Sequence, residues 1–179
     1  LIEAGVREII LIAQDTTAYG RDLSPSAAPA QLLRQLAGLD PGVRIRMLYG
    51  HPESITDNVL EAVAGCSNLC SYFDVPVQHA SDPILRKMGR HYTREDLLRL
   101  FARIRRRVPD ASLRTTVMVG FPGESREDFQ VLMDFIEALQ FDHLGAFSYS
   151  DFDDLPAHRL PGRISPGTAS KRHRRIMEV

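Results

Sequence analysis

The sequence predicts an α/β protein in which parallel strands form the arc of a barrel, and three observations carry that prediction. Five short apolar runs alternate with amphipathic patterns of helical period, polar residues recur just past each run, and no GxGxxG or GxxxxGKS/T motif opens any of the helices. Alternation of this kind implies right-handed helical crossovers between parallel strands. Strands apolar on both faces would suit a sheet covered by helices. A doubly wound sheet is the other arrangement open to such a chain. It usually carries a phosphate-binding glycine motif, whereas a parallel barrel builds its chemistry on the rim formed by its strand ends.

The elements follow in order. LIEAG reads as the end of a helix that runs through Gly5 into a first strand at 8–13, and a helix at 29–39 with Pro29 at its start leads to a strand at 44–49. A helix at 54–64 precedes the strand at 72–77, and a short helix at 83–88 is followed by a longer one at 93–107. The strand at 113–119, the helix at 126–139 and the strand at 143–149 complete the alternation before the basic helical stretch SPGTASKRHRRIMEV. The polar strand ends are Gln14 and Asp15, His51, Gln78 and His79, residues 120–124, and residues 148–151.

With 179 residues, 44% hydrophobic and 25% charged, the chain can bury one sizeable core, and one domain is the expectation. Twenty-two Lys and Arg against 23 Asp and Glu give a formal net charge of −1, so any contact with nucleic acid must be local. The two cysteines cannot form a disulfide framework and no apolar run approaches a membrane span, which points to a reducing, cytoplasmic setting without membrane contact. The chain opens on Leu1 inside a helix end and closes within a helical stretch, which is the expectation for a fragment.

Several segments could carry chemistry. QDTTAYG offers an amide, a carboxylate, hydroxyls and a phenol in one loop, and an Asx turn that satisfies its own backbone is the plainer alternative. In DVPVQHASD, Ser81 or Asp82 can cap the next helix, and Gln78 and His79 remain as a binding pair or as a satisfied buried histidine and its neighbour. VGFPGE pairs Gly120 and Gly123 with a closing Glu124, which suits a ligand bearing ribose or amino groups. Arg114 reads as a core-edge residue or a carboxylate partner. Cys66 and Cys70 have the first half of a CxxxCxxC spacing, but the third position is Phe73, so they read as structural. Arg103, Arg105, Arg106 and Arg107 read as a solvated helix end. Lys171, Arg172, His173, Arg174 and Arg175 read as a solvated helix or as a contact for a ribosomal or RNA surface.

Taken together, QDTTAYG, YFDVPVQHASDPILRKMGRHYTRED, LRTTVMVGFPGESREDF and FDHLGAFSYSD resemble the radical-SAM domain of the methylthiotransferase family in order and spacing, and cover nearly the whole chain. Asp15-Thr16-Thr17 and Leu144-Gly145-Ala146-Phe147 look like the RimO branch rather than the transfer-RNA (MiaB-like) branch. The resemblance implies a partial (βα)6 TIM-like barrel containing strands two to six. It implies S-adenosylmethionine as cofactor and a 4Fe-4S cluster whose three cysteines lie upstream, on the loop after the first strand. It further implies methylthio transfer to an aspartate of the twelfth protein of the small ribosomal subunit, in a complete enzyme with an amino-terminal domain and a carboxy-terminal RNA-binding-like domain. This chain alone is expected to be inactive and to hold no cluster. By position, Gln14, Gln78, His79, Arg114, Gly120 and Glu124 would line the cofactor side of the rim, and Asp15 and Tyr19 would sit nearer the substrate. Residues 150–156, SDFDDLP, depart from the shorter Gly-Thr-Pro-like turn of many relatives, which puts the local substrate contact in question. An iron-free barrel enzyme and a docking module are the competing classes.

Overall fold

The computed structural model describes residues 1–23 and 28–179, and the chain divides into two compact units. One comprises residues 1–76 and 100–114, the other residues 77–99 and 115–179.

In the first unit, β1 (Glu8–Leu11) pairs in parallel with β2 (Arg44–Met47), in register from Glu8 against Arg44 to Leu11 against Met47. Ile45 then bridges Leu69 in parallel, its N–H donating to Asn68 O at 2.8 Å while Cys70 N–H donates to Ile45 O at 2.8 Å. Next, β3 (Tyr72–Asp74) pairs in parallel with the opening residues of β4 (Ser112–Val119), Tyr72 facing Ser112 and Asp74 facing Arg114. Every pairing described in this unit is thus parallel and follows chain order. β3 is shorter than the expected 72–77 because its register against β4 slips by one residue between Asp74, which faces Arg114, and Gln78, which faces Val117.

α1 (Pro29–Ala37) begins on a proline whose missing N–H would be unsatisfied in a first turn anyway, and it turns Ala30, Leu33 and Ala37 inward. These pack with Ile45, Leu69 and with Val59 and Ala62 of α2 (Asp57–Gly65) to form a core. Asn68 ties its edge together, because its side-chain amide donates to Ala37 O at 3.0 Å, Val43 O at 3.1 Å and Asp40 O at 3.2 Å. At the end of the helix Arg94–Arg107, Arg105, Arg106 and Arg107 are exposed, as a solvated helix end requires, while Arg103 is half-buried. Arg103 Nη2 donates to Ile55 O at 2.7 Å, and Arg107 pairs with Asp57 and Glu61, each at 3.1 Å.

In the second unit, parallel pairing resumes at Gln78, whose N–H donates to Thr116 O at 3.0 Å and whose carbonyl accepts from Met118 N–H at 2.7 Å. β5 (His143–Ser148) lies beside β4, and Tyr149 N–H donates to Val119 O at 2.8 Å. α3 (Asp82–Lys87), the opening of α4 (Arg94–Arg107), α5 (Arg126–Leu139) and α6 (Pro166–Ile176) belong to this unit, with α6 packed on β5. Strand β4 alternates along its length, with Leu113, Thr115, Val117 and Val119 buried and Ser112, Arg114, Thr116 and Met118 half-buried. The expectation of two apolar faces fails here, because the half-buried face carries Ser112, Arg114 and Thr116.

Two outcomes are expected. Asn68→Ala should lower stability by about 1–3 kcal/mol in urea unfolding, since it strands buried carbonyls, and Asn68→Asp should cost more by setting a carboxylate against them. Asp96 accepts from the Thr93 hydroxyl and N–H and from Arg99, which hold its carboxyl at about 2 against an ordinary 3.8. A depressed carboxylate stabilises above its unfolded value, so this contribution should be complete above roughly pH 4 and lost as pH falls through about 2. A carbon-13 titration of the Asp96 carboxyl checks it.

Candidate functional site

The loop after β1 builds itself around Asp15. The Asp15 carboxylate caps the 3-10 turn Thr16–Ala18, accepting from Thr17 N–H at 3.0 Å and Ala18 N–H at 3.1 Å, and it accepts also from the Thr17 hydroxyl. Its other oxygen accepts from Ser54 Oγ at 2.9 Å, and Ser54 in turn receives Arg21 Nη2 at 2.9 Å. Burial pushes the Asp15 carboxyl up, but the bonds from Thr17 and Ser54 and the charge of His51 outweigh it and hold the group below its ordinary value. The Asx-turn alternative therefore describes this aspartate well. Gln14 and Tyr19 are exposed on the same loop.

At the end of β3 in the same unit, Asp74 is 2% exposed, and one oxygen accepts from Tyr49 N–H at 3.2 Å. Arg114 approaches that oxygen at 3.9 Å, while the other Asp74 oxygen is buried without a hydrogen-bond partner. Of the two readings for Arg114, a carboxylate partner is the one realised, and the carboxylate belongs to the chain.

The second unit gathers Gln78, His79, Gly120 and Glu124. Gln78 takes φ of +65°, a left-handed conformation that a residue with a side chain adopts at some cost, and it stays half-buried. His79 is completely buried, and Ser81 N–H donates to its Nδ1 at 2.9 Å. With Nδ1 acting as acceptor, the ring proton sits on Nε2, which lies 3.5 Å from Glu124 Oε1 without a hydrogen bond to it. The Glu124 side chain is itself fully buried. Its Oε2 accepts from Gly120 N–H and from Arg172 Nη1 at 2.9 Å, and Arg172 also donates to Glu124 O at 2.9 Å. The closing carboxylate of VGFPGE thus turns into the protein. Ser125 begins α5 with a capping box to Asp128, and Asp128 also receives the Ser81 hydroxyl, so the segments that follow β3 and β4 share one polar network.

Outward from Gly120 opens a cavity of about 580 Å³, lined by Ser148, Tyr149, Asp151, Arg163 and the first turns of α6. Asp151 holds its mouth together, pairing with His158 at 3.0 Å and Arg163 at 3.3 Å and accepting from Tyr149 OH at 3.2 Å. The unusual segment at 150–156 thus contributes a carboxylate to the cavity wall. Sequence reasoning missed Arg163, placed Asp151 only among the polar strand ends, and placed Arg172 only in a basic run read as solvated or RNA-facing. For Arg172 a signal existed: Ala169, Arg172 and Ile176 recur on one helical face, and the first and last of these are buried.

The cysteines do not fit an iron–sulfur cluster. Among the described residues no group of three or more His, Cys, Asp or Glu side chains is set to hold a metal ion, and burial pushes the Cys70 thiol up, away from the thiolate a cluster requires.

The family model of the Radical SAM superfamily matches residues 1–136, and the chain belongs to that superfamily. Within it, the chain is 52% identical over 177 residues to the ribosomal protein uS12 methylthiotransferase RimO of Desulfosudis oleivorans, covering 99% of this chain and 40% of that protein. It is 48% identical over 179 residues to the RimO of Clostridioides difficile and 44% identical over 179 residues to that of Geobacter sulfurreducens, each covering 100% of this chain and 40% of the relative. The chain therefore spans about two fifths of the length of these relatives. Among solved structures, the radical S-adenosylmethionine methyltransferase TsrM from Kitasatospora setae matches with TM-score 0.65 at 17% identity, over 84% of this chain and 29% of that one. The archaeal Methanocaldococcus infernus Elp3 matches with TM-score 0.56 at 11% identity, over 84% of this chain and 38% of that one. These likenesses show the barrel fold alone.

Removing the carboxylate by Glu124→Ala would leave Gly120 N–H buried without its acceptor and the Arg172 guanidinium with only the main-chain oxygen of residue 124. It should lower stability by about 3–5 kcal/mol in urea unfolding, and Glu124→Gln, which keeps an oxygen for Gly120, should cost less.

Proposed function

We propose that this chain is the S-adenosylmethionine-binding barrel of a RimO-type enzyme, which transfers a methylthio group to an aspartate of ribosomal protein uS12. The observation that carries the reading is identity of 44–52% with RimO proteins along essentially the whole chain. These relatives bear the uS12 name, which favours this reading over a transfer-RNA substrate.

The chemistry of the cavity beside Gly120 fits the cofactor. Hydroxyls of Ser148, Tyr149, Ser165 and Ser170, the Asp151 carboxylate and the Arg163 guanidinium are the groups that ribose, ammonium and carboxylate require, and about 580 Å³ lies within the range of small-molecule sites. When bound, S-adenosylmethionine supplies the radical chemistry of the superfamily. Toward that ligand, the Gly120 main chain would line the base of the cavity, with Gln78, His79 and Glu124 behind the same rim and Arg114 and Gln14 on theirs. His79 and Glu124 act from within, by fixing the loop that the ligand meets. Near the substrate, Tyr19 would make contact while Asp15 keeps its loop in shape. Lys171, Arg174 and Arg175 stay exposed on α6 and would serve a ribosomal RNA contact. No helix among the described residues is long and apolar enough to cross a membrane, and the proposed reaction belongs to the cytoplasm, where ribosomes are.

Calorimetry with S-adenosylmethionine tests the cofactor assignment. Filling the cavity by Ser170→Phe should weaken binding by at least roughly tenfold with little change in thermal midpoint, since Ser170 is an exposed wall residue. An unchanged dissociation constant would mean that the ligand binds elsewhere. In the reconstituted enzyme, mass spectrometry should find one methylthio group gained on an aspartate of uS12, and a gain on transfer RNA alone would sink the substrate assignment.

A further inference from the structure

We infer that Arg172 is a positioning residue that shapes the cofactor cavity by clamping α6 onto the glycine loop. This inference rests on the proposal that the cavity beside Gly120 takes S-adenosylmethionine. Arg172 lies within a run of five basic residues, yet its side chain is only 12% exposed. A solvated role would leave it free to bind water. Here its Nη1 reaches both the carboxylate and the main-chain oxygen of Glu124 at 2.9 Å, and its guanidinium lies 5.4 Å from the Phe129 ring centroid.

Three features make this contact decide the cavity's shape. Glu124 is fully buried, and the guanidinium is the cation matched to it, since His79 on its other side carries its ring proton on Nε2 and accepts at Nδ1. The same carboxylate holds Gly120 N–H, so whatever fixes Glu124 fixes the main chain at the base of the cavity. α6 also runs very close to that main chain, because a Cβ built on Gly120 would lie 2.6 Å from Ala169 Cβ. Ala169 and Ser170 line the cavity within one helical turn before Arg172. The glycine loop forms one wall, α6 forms the other, and Arg172 joins them.

The test compares Arg172→Met, Arg172→Lys, the double variant Arg172→Met with Glu124→Gln, and Leu132→Val, a core change in α5 at a residue that does not line the cavity. Each intact protein is read by S-adenosylmethionine affinity, thermal midpoint and hydrogen exchange at the Gly120 amide. Arg172→Met should weaken affinity by roughly tenfold or more and speed Gly120 exchange. Arg172→Lys should fall between it and the wild type, because an ammonium keeps the charge but has a shorter reach to the two acceptors and loses the planar guanidinium beside Phe129. The double variant should lose less affinity than Arg172→Met alone, as a neutral amide at position 124 needs no buried cation and still accepts from Gly120. Leu132→Val should lower the midpoint and leave affinity in place. The inference is overturned if folded Arg172→Met binds as the wild type does, or if affinity simply follows the midpoint across all four variants. A wild type that binds no S-adenosylmethionine would defeat the proposed function instead. The clamp would then be judged on Gly120 exchange, and unchanged exchange in Arg172→Met would defeat it as well.

Discussion

The second unit is arranged around one buried charge. A carboxylate removed from water loses several kcal/mol of hydration, so it survives ionised only where donors and a cation replace that water. Glu124 receives an N–H from four residues earlier and a guanidinium from α6, with the His79 ring facing it from the segment after β3. Three segments distant in sequence are brought together by the needs of this group. Gly120 is required twice over, since its φ of +76° lies in the left-handed region and its missing Cβ admits Ala169.

The first unit meets the same difficulty by a more local route. Asp15 takes two N–H groups from its own turn and hydroxyls from Thr17 and Ser54, so no cation needs to be in contact with it. Its burial is partial, and hydroxyls with backbone donors suffice to keep the carboxylate ionised. The two acidic residues, alike as polar groups at strand ends, thus differ in what they organise. Asp15 shapes one turn, whereas Glu124 ties a helix to a loop.

Much of the fold was legible because its signals are periodic. The alternation of apolar runs and amphipathic stretches located every expected strand and helix to within a few residues, and the parallel ladders of β1 with β2 and β3 with β4 follow from that order. Strand ends were less legible. β3 stops at Asp74 since its register against β4 slips by one residue before Gln78, and β4 proved polar on one face since Arg114 and Thr116 alternate with Val117 and Val119. The site was legible as a set of positions but not as a set of directions. Gln14, Tyr19 and Gln78 remain accessible, while His79 and Glu124 turn inward. Which way a polar residue at a strand end points depends on partners that arrive from elsewhere in the chain, as Arg172 does from 48 residues downstream.

That dependence bears on how such a rim can bind anything. A carboxylate aimed into an empty cavity would be hydrated and mobile, and a ligand would have to displace its water and fix its rotamer before gaining from it. A carboxylate already satisfied by the protein contributes differently, because it holds a main chain in one conformation before the ligand arrives. Glu124 is closer to the second kind: its Oε2 holds Gly120 N–H and pairs with Arg172, while its Oε1 lies buried beside His79 without a hydrogen bond. Asp151 stands between the two, tied to His158 and Arg163 at the cavity mouth yet about one third exposed, so it can exchange a protein partner for a ligand group. In the proposed reading, the inward network therefore provides preorganisation and the residues at the mouth provide recognition. The segment at 150–156, which supplies Asp151, lies on the recognition side of that division.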